Sequence, residues 1–202
     1  AQSGSTSLQH ARNQLPRVPR DPSRKAIVLL TTGGNDLIHS YGMAAPEEGA
    51  MYGASWDMAQ PWIAAFGRRL DAMVEEIAGR FPLGAEIFIG TIYDPSDGTG
   101  YLRHTGLPPW PEGVRILEAY NQLIRQLETK HHHVRVVEVH KPFLGHGLHA
   151  AHWWEAHYDR SDPHCWLAEN VEDPNDRGYD AIRRLFWNRI VEALARWDSQ
   201  AR

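Results

Sequence analysis

The sequence predicts an α/β fold, a three-layer α/β/α sandwich around a parallel sheet, on three observations. Apolar runs of strand length alternate with helical periodicity in the order strand, helix, strand, helix, strand, helix. The run at 26–30, AIVLL, is unbroken rather than alternating, the pattern of a strand buried on both faces inside a parallel sheet. It stops at TTGGND, so Asn35 and Asp36 follow the carboxyl end of a strand, where open α/β sheets bind ligands. No repeat or linker interrupts the pattern, and residues 1–202 are read as a single domain.

In chain order, AQSGSTS is a small-residue turn leading into a short helical pattern through Leu8, Ala11 and Leu15, which Pro16, Pro19 and Pro22 end. After the first strand, Gly33 and Gly34 permit a sharp turn and close approach to a ligand. Residues 39–55 form a glycine-rich loop longer than a connection requires, a length associated with function. Residues 57–81 place Trp62, Phe66, Leu70, Met73 and Ile77 on one helical face, with Pro61 expected in the first turn. The second strand is expected at 85–93. The second helix, 111–130, has Leu117, Tyr120, Ile124 and Leu127 on its inner stripe, and the third strand is expected at 134–139. About 35 residues without clear period follow. A helix from about 177 to 197 then buries Ile182, Phe186, Ile190 and Leu194.

Composition narrows the function classes. Of 202 residues, 42% are apolar and 23% charged, and the net charge of -4 argues against nucleic acid as the main partner. No apolar stretch approaches the ~20 residues of a membrane span. One cysteine, Cys165, excludes an internal disulfide and leaves the redox compartment unread. The chain opens at Ala1 without Met and enters motif-like sequence at once, so an upstream piece is expected to have been removed or not captured. The unusual numbers are twelve His and eight Trp: nine of the His lie between His131 and His164, and four of the Trp between Trp110 and Trp166. That clustering points to a site.

Three segments, in this order, resemble the SGNH/GDSL-type hydrolases, esterases with a flavodoxin-like fold. SGSTSLQHARNQLP, at 3–16, is similar to the family's second block, whose glycine donates a backbone N–H to the oxyanion hole; that position is Gly4. TTGGND, at 31–36, is similar to the third block, whose asparagine supplies the side-chain donor; that position is Asn35. DPNDRGYDAIRRLFW, at 173–187, resembles the entry to the last helix after the fifth block. The resemblance implies ester hydrolysis by a serine nucleophile, with no cofactor, and acetyl esters of carbohydrate as the substrate class by analogy.

The sequence departs from the family pattern twice. The Gly-Asp-Ser block should lie upstream of Gly4, which implies that the first strands are missing, that the edge of strand 26–30 is uncovered, and that this chain alone is inactive. The fifth block, Asp-x-x-His-Pro in the family, reads Asn170, Val171, Glu172, Asp173, Pro174 here, so Asp173 holds the base position and Asn170 would orient it. An aspartate, with a reference pKa near 3.9, is a poor base near neutrality unless burial raises it. His164 or His149 is therefore expected to take that role, oriented by Asp173 or Glu172.

Other readings stay open. Gly4 and Asn35 also suit an ordinary turn and its cap, and Asp173 before Pro174 suits a turn. Ser3, Ser5 and Ser7 lie near Gly4 but on no strand-to-helix elbow. Trp153, Trp154 and Trp166, with Tyr158, would wall an acyl pocket or stack on a sugar, or belong to the core. His146, His149 and His152 with Glu155, Asp159 and Asp162 invite a catalytic zinc, although residues three apart do not share one α-helical face well. His131 to His133, at a helix end, are expected to face solvent. The rivals to the esterase are thus a non-catalytic glycan-binding module and a metallohydrolase.

Overall fold

The structure, a computed structural model, describes residues 2, 4–102 and 105–200, with the side chains of 40 and 196–200 left out. Three parallel strands lie in the order β1 (Ala26–Leu30), β2 (Ala85–Gly90), β3 (Val134–Val137). Val28 sits opposite Ile87, Leu29 opposite Phe88, and Ile89 opposite Val136. Because side chains alternate along a strand, Ile87 and Ile89 face one layer and Phe88 the other. The first layer is α3 (Trp56–Gly79) with α4 (Pro111–Lys130), which bury Phe66, Leu70, Tyr120 and Ile124 against the sheet. The second is α6 (Asp176–Gln200), which follows the short α5 (His140–Phe143) and packs Phe186 and Ala193 on Phe88, Val137 and Val139. The α/β sandwich expected from the sequence is what forms.

The element starts hold closely, but β2 and β3 end three and two residues earlier than expected, at Gly90 and Val137. α4 starts and ends where the periodicity places it, and its four stripe residues are buried. α3 starts earlier than its proline suggests. Ser55 caps it by accepting from the Met58 N–H, so Pro61 lies in the second turn and not the first. One intrahelical hydrogen bond is lost there, on a face where Pro61 is exposed. The segment from 7 to 17 is continuous but irregular: α1 (Ser7–Gln9), a π-helical stretch (His10–Gln14) and a 3-10 turn (Leu15–Arg17).

β1 corrects a second expectation. Its burial alternates, and Ile27 and Leu29 are 45% and 57% exposed. Among the described residues β1 pairs only with β2, and α6 covers β2 and β3. The strand therefore offers an open edge beside two apolar side chains, a template for pairing with another chain. Replacing both with Lys is expected to leave the unfolding midpoint within a few degrees of the parent while lowering self-association at high concentration. Light scattering reads this, and unchanged association in the double variant would mean that the edge is not the sticky element.

His131 to His133 depart from the solvent-facing expectation. His131 bridges Asp71 and Glu75, at 3.0 and 2.7 Å, and the His133 side chain is buried. Only His132 is exposed.

Candidate active site

At the carboxyl ends of the strands a cavity of about 190 Å³ opens between the loops. Gly4, Gly34, Asn35, Glu172 and Asp173 line it, together with an apolar set that includes Leu37, Ile92, Leu102 and Leu117 with Tyr52, Tyr93 and Trp110. Asn35 stands in the first turn of α2 (Gly34–Ile38). That turn needs Gly33, at φ +99°, since a Cβ there would sit 2.9 Å from both Ile92 Cδ1 and Phe66 Cζ. The Asn35 amide donates one N–H to Ser5 O at 3.2 Å, which ties it to the Gly4 segment. Its second N–H remains for a ligand. A second cavity of about 230 Å³ also has both Gly4 and Asn35 in its lining, with Ser5, His10 and Thr32. The two residues singled out by the motifs therefore converge.

The floor is held by buried polar clamps. Asn121 on α4 is fully buried, accepts from Ile92 N–H at 2.7 Å and donates to Ile92 O at 2.9 Å, fixing the chain just past β2. Asp94 accepts from the N–H of Ser96 and of Gly98 and from the Ser96 hydroxyl, folding the turn that follows. The glycine-rich loop joins the wall where Tyr52 donates to Pro108 O at 2.7 Å and Trp110 Nε1 donates to Ala54 O at 2.8 Å. Tyr93 donates its hydroxyl to Glu172 O. Burial, together with the nearby Asp173 and Glu172 carboxylates, pushes the Tyr93 phenol well above its ordinary value, so it stays protonated as a donor.

The expected site residues separate into those that reach this cavity and those that do not. Asp173 lines it, exposed, and accepts from the Asn170 amide at 2.9 Å. Asp36 does not reach it. Fully buried, its carboxylate accepts from Ser7 N–H at 2.7 Å and from the Ser7 hydroxyl at 2.5 Å, so it joins α2 to α1 rather than touching substrate. Burial raises its pKa, while the two Ser7 hydrogen bonds and Arg69 pull the other way.

Neither candidate imidazole lies at the rim. His164 is exposed and contacts Asp162 through Nδ1 at 2.5 Å. His149 is buried, with Nε2 on Tyr101 O at 2.8 Å. Among the described residues the imidazole that lines either cavity is His10, whose Nδ1 is 2.6 Å from the Thr32 hydroxyl and whose pKa burial lowers.

The tryptophan platform is also elsewhere. Trp153 and Trp154 are 74% and 57% exposed, stacked edge to face on the surface. Trp166 lies flat on His146 at 3.7 Å and packs on the second core. The aromatic residues that do line the cavity, Tyr52, Tyr93 and Trp110, went unnoticed in the sequence. The available signals were the position of Tyr93 after a strand end and of Tyr52 in an overlong loop. Of the three serines near Gly4, Ser3 lies outside the described residues. Ser7 is held by Asp36 and Arg69, and the buried Ser5 hydroxyl has no partner.

A family model described as the GDSL-like Lipase/Acylhydrolase family matches residues 1–181. No curated protein matches the chain significantly in sequence. An extracellular lipase from Streptomyces rimosus superposes with a TM-score of 0.56 at 17% identity, covering 90% of this chain and 76% of that one. A phospholipase A1 from Streptomyces albidoflavus gives 0.56 at 15%, covering 93% and 77%. A family 3 carbohydrate esterase from Clostridium thermocellum gives 0.51 at 16%, covering 96% and 69%. At these identities the likeness is one of fold.

Proposed function

The chain belongs to the GDSL-like lipase/acylhydrolase family, and from that premise we propose that its cavity is the acyl site of an ester hydrolase, with the Gly4 N–H and the Asn35 amide as oxyanion donors. The observation that carries this reading is that both donors line one cavity whose interior is apolar. Two donors lining one cavity suit the oxygen of a tetrahedral intermediate, and each such donor is typically worth about a hundred- to a thousand-fold in rate. Ester hydrolysis is the chemistry of the family. The apolar lining favours an ester whose acyl group is a short alkyl chain.

Turnover by this chain alone stays at background. Among the described residues, no serine that lines either cavity has an imidazole bonded to it: Ser96 is bound to Asp94, and the Ser5 hydroxyl has no partner. Asp173, exposed beside Asn170, is in the base position and supplies a carboxylate rather than an imidazole. A second reading, favoured by Asp173 and by the ring faces of Tyr52 and Trp110 in the lining, is a glycan holder without catalysis, or one that takes acetylated carbohydrate.

The test uses both ends of the reaction. p-Nitrophenyl butyrate and octanoate are expected to hydrolyse at the buffer rate. Octanoate, which presents the carboxylate a product would, is expected to bind, and Asn35→Ala to weaken it at least about tenfold, the worth of one hydrogen bond to a charged acceptor. Octanoate binding indifferent to Asn35→Ala, or weaker than binding of acetylated xylan, would sink the acyl reading. Turnover lost on Thr32→Ala or His10→Ala would overturn the claim of inactivity.

A further inference from the structure

We infer a zinc site, outside the cavity, formed by His149, His152 and Glu155. One ligand atom from each of the three lies within 4.8 Å of the others. The α-helical objection to this spacing does not apply, because the segment is not α-helical. His152 N–H bonds to His149 O at 2.8 Å and Glu155 N–H to His152 O at 3.0 Å, two successive i→i+3 turns. In that geometry side chains three apart eclipse, so positions 149, 152 and 155 share an edge.

Hydrogen bonding prepares the nitrogens for a cation. His149 is 97% buried, and its Nε2 faces two oxygens, Tyr101 O at 2.8 Å and the Thr99 hydroxyl at 3.2 Å. A carbonyl accepts only, so Nε2 carries a proton, and in the neutral ring Nδ1 presents a lone pair. That Nδ1 is buried without a hydrogen-bond partner and lies 3.5 Å from Glu155 Oε1. A lone pair against a carboxylate oxygen is repulsive unless something positive lies between them. His152 Nδ1 is likewise buried and unpartnered.

Two imidazoles and a carboxylate form a set that zinc takes, with water as a fourth ligand, and the N–H of His149 on a backbone carbonyl is the outer-shell contact that orients such a ligand. With metal–ligand bonds of about 2.1 Å, tetrahedral ligand atoms stand about 3.4 Å apart, close to the His149–Glu155 separation. Among the described residues the other cluster of this kind, Glu75 with His131 and His133, is in a different state, since His131 already bridges Glu75 and Asp71.

The site would brace the cavity wall. Thr99 and Tyr101, which hold His149, alternate in sequence with Gly100 and Leu102, which line the cavity. Zinc at 149–155 would fasten the His- and Trp-rich segment to that loop.

Isothermal titration of zinc chloride into the EDTA-stripped full chain is expected to show one site per chain and a raised melting temperature. Cobalt in its place is expected to give the visible absorption of a tetrahedral ion. His152→Ala and Glu155→Gln, at half-exposed positions, are expected to weaken zinc at least tenfold with the circular dichroism unchanged, and His131→Ala to leave it alone. His149→Ala serves as a third variant if it folds. No saturable zinc binding, or binding lost in His131→Ala and kept in His152→Ala, would overturn the assignment.

Discussion

Gly145→Ala is expected to destabilise the chain by about 3 kcal/mol or more, the range of a substitution that breaks both packing and backbone geometry. Gly145 has φ +92°, and a Cβ there would lie 2.0 Å from His157 O. The obstacle is backbone, so no side-chain rotation relieves it. Either residues 144–147 or the strand of chain at 157–159 must move, and each carries other bonds. His146 N–H bonds to Phe143 O, while Trp166 N–H bonds to His146 O at 2.7 Å. Gly4→Ala is the internal comparison. It shares the left-handed backbone, at φ +72°, but its Cβ would meet nothing within 4 Å, so only the conformational cost of about 1 kcal/mol applies. Thermal unfolding followed by circular dichroism reads both. Equal losses in the two variants would mean that strain, and not the collision with His157, sets the cost.

Asp97→Ala is expected to cost about 3 kcal/mol or more, because it orphans three donors at once. The Asp97 carboxylate accepts from Gly145 N–H at 2.9 Å and Gly147 N–H at 2.8 Å through Oδ1, and from His149 N–H at 2.9 Å through Oδ2. Asp97 is buried and itself adopts φ +51°, so the turn is shaped to aim that carboxylate. Asp97→Asn keeps the oxygen that serves two of the amides but opposes an NH₂ to the third, and is expected to fall between. Denaturant unfolding gives the energies, and hydrogen exchange at 145, 147 and 149 shows whether protection is lost locally. Asp97→Ala within about 1 kcal/mol of the parent, with protection intact, would show that water replaces the carboxylate. Gly145→Ala and Asp97→Ala act on one packed unit, so their effects are expected to sum to less than additivity.

Much of this fold was legible because it follows from local pattern. The period of α4 located both its ends, and three apolar runs located the three strands. Pro61 misled because tertiary packing keeps a helix going through a proline when its exposed face loses the hydrogen bond. β1 misled because an unbroken apolar run records the capacity for burial on both faces, whereas burial itself depends on which neighbours are present.

At the site, motif order was enough to place Gly4 and Asn35 in the lining of one cavity, since a glycine turn and an asparagine after a strand end have their position set by the local backbone. It was not enough for Asp36. One residue farther on, the helix turns its side chain inward to Ser7, 29 residues away. His149 lies away from the cavity for the same kind of reason, since its Nε2 is directed to Tyr101 and Thr99, nearly fifty residues upstream.

Alternation, punctuation and motif order by themselves determined the α/β sandwich, its parallel strands and the pair of residues at the cavity rim. Tertiary structure alone decided that Tyr52, Tyr93 and Trp110 wall that cavity, and that His149 sits behind the wall rather than at its mouth. The physical reason is that the direction of a polar side chain in an irregular segment is set by the partner that satisfies it. Here those partners are distant in sequence and become neighbours only when the loops pack.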